Sequence, residues 1–151
     1  MKKYLRSLAT LLIAATLTAC GGKMDEIYPE AVSARLFARS YERDHDEISE
    51  VRALTPDQIK RLRGDIHAES EALITAACFV PHHFFRMYDA KGKMVGEIAV
   101  CFCCSGVRAN PKLSTPLGME VAADYNDLAA LVRELGSTPR IDCESDEAVG
   151  L

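Results

Sequence analysis

Two segments of the chain place apolar residues at the spacing of an amphipathic helix. The first follows residues 55–58 (Thr-Pro-Asp-Gln), where Thr at the N-cap, Pro at the first helical position and Gln at N3 form a capping box. The second follows Asp124, a capping residue, and ends before Gly136. Its apolar face is formed by Leu128, Leu131, Val132 and Leu135. We therefore predict helices at about 56–64 and 125–135.

Alternating apolar and polar residues predict a β-hairpin in the second half of the chain. The alternation runs through residues 84–88 and 94–102, and residues 89–93 between them contain Gly92, which suits a turn. Residues 32–41 alternate in part, which favours a strand without excluding a helix, and the charged residues 41–50 predict a solvated loop. The predicted fold is α+β, a small antiparallel sheet centred on the hairpin at about 84–102 and packed by one or two helices.

The length and charge of the chain limit its function class. It has 151 residues and a net charge of −4, and residues 1–19 carry three cations and no acids. Without that segment, 132 residues with a net side-chain charge of −7 remain, which suffice for one compact domain. An acidic domain is a poor candidate for binding nucleic acid. The sequence has no Gly-rich phosphate loop, G-x-S-x-G or H-E-x-x-H motif, so we assign no catalytic residue and favour a protein without enzymatic activity.

The first twenty residues have the pattern of an export signal. Lys2, Lys3 and Arg6 precede an apolar run from Leu8 to Leu17, which is shorter than the about 20 residues of a membrane-spanning helix. The run leads into Leu17-Thr18-Ala19-Cys20. This segment resembles the lipobox of bacterial lipoproteins, whose pattern is an aliphatic residue, two small residues and a cysteine.

The lipoprotein resemblance implies where the protein is located and how it is attached. Residues 1–19 would be a removed signal peptide, and Cys20 would carry acyl chains such as palmitate that enter the lipid bilayer. Because Gly21, and not Asp, follows Cys20, the resemblance implies the periplasmic face of the outer membrane in a Gram-negative host. We expect a lipidated tether at 20–30, a single α+β domain at 31–141 and an acidic tail at 142–151. No protein partner is indicated.

Five further cysteines offer three kinds of chemistry. They are Cys78, Cys101, Cys103, Cys104 and Cys143. If Met87 pairs with Val95 in the hairpin, Cys78 lies opposite Cys104 and the first four cysteines gather at the hairpin mouth, beside His83. In an oxidising compartment a disulfide between Cys78 and Cys104 or a neighbour is expected. Alternatively, the C-x-x-C within residues 101–104 could hold zinc together with Cys78 and either His82 or His83. A third possibility is that Cys101 and Cys104 form a redox C-x-x-C pair.

The region around these cysteines resembles small bacterial envelope proteins of unassigned activity. Those proteins carry a Cys-Phe-x-Pro-x-His segment, a hairpin turn and a Cys-Phe-x-Cys segment. The matching positions here are Cys78, Pro81, His83, Cys101 and Cys104, whereas Cys103 is an addition. The resemblance implies that the cluster acts as a unit, without deciding between a disulfide staple and a ligand set.

Overall fold

A five-stranded antiparallel sheet is the main element of the fold. The computed structural model describes residues 24–42, 45–70 and 79–141. The strands are β1 (Ser33–Glu42), β2 (His45–Ala53), β3 (Ile66–Glu69), β4 (His83–Tyr88), β5 (Met94–Cys101), β6 (Gly106–Asn110) and β7 (Glu120–Ala123). The helices are α1 (Pro56–Asp65) and α2 (Tyr125–Glu134). The large sheet has the order β2-β1-β4-β5-β6, and β3 pairs with β7 in a second, two-stranded sheet. The predicted α+β class is confirmed.

Both helices begin where the sequence predicts. The Thr55 hydroxyl accepts a hydrogen bond from the Gln58 N–H at 3.3 Å, and the Gln58 side chain accepts one from the Thr55 N–H at 2.8 Å. The Asp124 carboxylate accepts from the first turn of α2. These bonds satisfy N–H groups that have no partner within a helix.

One apolar core joins the helices to one face of the large sheet. Because β-strand side chains alternate between faces, β4 directs Phe85 and Met87 inward while Arg86 remains partly exposed. The helices contribute Leu62 and Leu128 to the same cluster. Across the helix pair, Glu134 of α2 accepts hydrogen bonds from Gln58 and Arg61 of α1. Among the described residues, no helix has the length and apolarity needed to cross a bilayer.

Two local predictions were wrong. Of the predicted loop at 41–50, residues 41–42 belong to β1 and residues 45–50 belong to β2. β2 lies at the edge of the sheet, where charged side chains remain in water. The hairpin register also differs, since Met87 pairs with Gly96 and not with Val95. A bulge between Met87 and Tyr88 causes this shift.

The described chain is packed into the core before residue 31. Ile27 and Tyr28 are buried, although they lie in the segment expected to be a tether. The Tyr28 hydroxyl donates a hydrogen bond to the Pro111 carbonyl at 2.8 Å, and Arg63 donates to the carbonyls of Tyr28 and Ala31. The Tyr28 ring lies on Gly96, where an added Cβ would be 2.3 Å from the ring.

Replacing Gly96 with alanine should therefore destabilise the fold. The new methyl group would force the Tyr28 ring away from β5, and such overpacking costs about 1–3 kcal/mol. Gly64→Ala in α1 is the matched control, since no atom lies within 4 Å of its added Cβ, and it should stabilise by about 0.5–1 kcal/mol. Urea unfolding of both variants checks this, and equal stability of the two would contradict the packing argument.

Candidate cysteine site

The turn between β5 and β6 carries three cysteines. Cys101 is the last residue of β5 and pairs with Gly106, the first residue of β6. The four residues between them, which include Cys103 and Cys104, form the turn. Ser105 has a φ of 46°, in the left-handed region, which allows the chain to reverse direction there. The antiparallel return of β6 therefore holds the three sulfur atoms on one short loop.

The three sulfur atoms lie close enough to act on one another. The Sγ of Cys104 is 2.8 Å from that of Cys101, and the Sγ of Cys103 is 3.6 Å from it. All three lie within 4.8 Å of one another, and Cys101 is buried whereas the other two are half-buried. The 2.8 Å separation is longer than the about 2.05 Å of a disulfide bond. This group of three sulfurs could hold a metal ion.

The segment that follows Cys78 lies on the same turn. The Phe79 ring covers Gly106, where an added Cβ would be 2.5 Å from the ring. The Arg108 guanidinium lies 4.5 Å from the centre of that ring. Residue 106 must therefore lack a side chain, and Phe79 keeps the start of the hairpin segment against β6.

Tyr125, the first residue of α2, also belongs to the surroundings of this turn. Its hydroxyl is buried and has no hydrogen-bond partner among the described residues. Burial raises the pKa of Tyr125 to about 12, and negative charge on Cys104 and Cys101 adds to the effect. The phenol therefore keeps its proton at neutral pH and can serve as a hydrogen-bond donor.

His83, which the sequence placed with the cysteines, is not a member of the three-residue group. Its Nε2 lies 3.2 Å from the Ser137 hydroxyl, and its ring meets the Phe102 ring edge-on at 5.3 Å. Burial lowers the pKa of His83 to about 4, with a smaller effect from the charge of His82. The neutral imidazole thus packs between the sheet and the end of α2.

Several residues expected at the site fall outside the described part of the chain. Cys20, Cys78 and Cys143 are among them. Within the described part, sequence reasoning missed Tyr125 and Ser137. Neither carries a local signal, because each reaches its place only through the packing of α2 on the sheet.

Comparison with known proteins adds no relative. No family model, no curated protein and no solved structure matches the chain.

Acid should weaken the fold through His83. The pKa is about 6.5 in the unfolded chain and about 4 in the folded one, so the unfolded state binds the proton first as pH falls. The stability contributed by the neutral ring is complete above pH 6.5 and decreases by about 3 kcal/mol between pH 6.5 and 4.

The His83→Gln variant should lose this part of the pH dependence, measured by urea unfolding at several pH values. His67→Gln, at an exposed histidine of β3, serves as the control and should behave like the parent. A His83→Gln variant with the parent's pH profile would contradict the assignment.

Proposed function

We propose that the chain is a lipid-anchored protein of the bacterial cell envelope, whose α+β domain binds a partner or has a structural role without catalysing a reaction. The observation that carries this proposal is the sequence Leu17-Thr18-Ala19-Cys20 at the end of the apolar run. One acyl chain holds a protein only marginally, and stable attachment takes two signals. A lipoprotein cysteine carries three chains and meets that requirement.

The packing of residues 24–31 supports a short tether. Ile27 is buried in the core, and Arg63 holds the carbonyls of Tyr28 and Ala31. Only six residues separate Cys20 from Ile27, so the extended chain reaches at most about 25 Å. The anchor would therefore keep the domain next to the bilayer surface, on the periplasmic face of the outer membrane in a Gram-negative cell.

A role without catalysis agrees with the surroundings of the one Ser–His pair described above. His83 faces Ser137, but its Nδ1 is buried with no described hydrogen-bond partner. A serine nucleophile requires a third group that orients the histidine. We therefore assign this pair to packing.

A disulfide staple at the cysteine turn is part of the same proposal. We propose that Cys103 is bonded to Cys78, because Phe79, the residue after Cys78, lies against Gly106 at this turn. A staple that closes a loop of about 25 residues contributes roughly 3 kcal/mol on the chain-entropy model.

The Cys20→Ser variant tests the anchor. In a bacterial host fed with palmitate analogue, the parent should incorporate the label, begin at residue 20 and partition into detergent. The variant should lose the label because no thiol remains to be acylated. Cys143→Ser, which leaves the lipobox intact, is the control and should be labelled like the parent. An unmodified Cys20 in the parent, measured by intact mass, would contradict the proposal.

Zinc binding is a second candidate function. The group of three sulfurs at Cys101, Cys103 and Cys104 favours it. Structural zinc is almost always bound by four N or S ligands, so a fourth is required, and Cys78 is the cysteine next to Phe79. All four thiols would have to be reduced for this site to form.

Counting thiols and metal separates the staple from the zinc site. For the proposed staple, protein purified from envelopes and denatured without reductant should contain disulfide and no bound zinc. One zinc per chain with reduced cysteines would instead establish the second candidate. Maleimide labelling followed by intact mass gives the thiol count, and elemental analysis gives the metal. The Cys101→Ala variant is the control, since it removes a ligand of the zinc site and leaves Cys103 and Cys78.

A further inference from the structure

We propose that Cys101 and Cys104 form a reversible dithiol–disulfide couple that exchanges with external thiols and disulfides through Cys104. This inference concerns the thiol chemistry of the cysteine turn. It does not depend on the lipid anchor, and the staple at Cys103 can exist beside it.

The short distance between the two sulfurs is the main evidence for the couple. The Sγ atoms of Cys101 and Cys104 are 2.8 Å apart, closer than the contact distance of two packed, non-bonded sulfur atoms. A shift of under about 1 Å brings them to the length of a disulfide bond. They are spaced as C-x-x-C. A disulfide bond between them therefore constrains only the turn between β5 and β6, which strand pairing already closes. Oxidation and reduction therefore require no rearrangement of the sheet.

The two cysteines differ in solvent exposure, and this gives them different roles in the exchange. Cys101 is buried at the end of β5, whereas Cys104 is half-buried in the turn. An external disulfide can therefore reach Cys104 first. Cys101 is placed to resolve the mixed disulfide from inside the protein.

The exchange balances in two steps. The Cys104 thiolate attacks one sulfur of an external disulfide, and the other sulfur leaves as a thiolate. Cys101 then loses its proton to solvent and attacks the Cys104 Sγ, forming the Cys101–Cys104 bond and releasing the second external thiolate. Two electrons pass from the dithiol to the external disulfide, and the reverse sequence reduces the couple.

A glutathione titration tests the couple. Detergent-purified full-length protein is equilibrated with a chelator in buffers that differ in the ratio of reduced to oxidised glutathione. The samples are then quenched in acid and alkylated, and their intact mass is measured. The parent should lose two thiols together as the ratio falls. Cys101→Ala should instead accumulate glutathione on Cys104, located by fragmentation of the peptide. Cys104→Ala should bind none at Cys101. An unchanged thiol count across all ratios, or glutathione on Cys101, would overturn the proposal.

Discussion

The return of β5 to β6 over four residues is the constraint on which the cysteine site depends. β5 is bonded to β4 on one side and to β6 on the other, so the end of the strand at Cys101 is fixed in a buried place. Because the turn is short, Cys103 and Cys104 must lie close to Cys101. Gly106 completes the arrangement, because the Phe79 ring occupies the space that any larger side chain would need. The sulfur geometry is therefore a consequence of backbone pairing.

Elements that depend on local chemistry could be predicted from the sequence. The first helix has its whole start signal within residues 55–58, and the structure contains both bonds of that capping box. Gly136, with a φ of 90°, follows the second helix as its sequence position implies. The hairpin could be predicted from the alternation of apolar and polar residues and from Gly92 in the turn. In each case the interactions that decide the structure lie within a few residues of one another.

Features that depend on distant partners could not be predicted in this way. The bulge beside Met87 moves the hairpin register by one residue, and its effect is visible only when β4 is paired with both neighbours. β3 and β7 are four residues each, and the pairing of Ile66 with Ala123 joins residues that are distant in the sequence. Tyr28 follows a stretch with the composition of a flexible linker, yet Gly96 provides the space that its ring fills. Sequence patterns do not record such complementarity.

The proposals place different demands on one set of sulfurs. A zinc site needs Cys101, Cys103 and Cys104 all reduced, so it excludes a disulfide at Cys103. The dithiol couple needs only Cys101 and Cys104, and it is compatible with a Cys78–Cys103 staple. An oxidising compartment, which the proposed anchor implies, favours the combination that uses a bonded Cys103. If the anchor is as proposed, one loop would then hold a permanent disulfide that stabilises the sheet and a second pair whose state follows the thiols around it. The odd cysteine is Cys143, which neither arrangement requires.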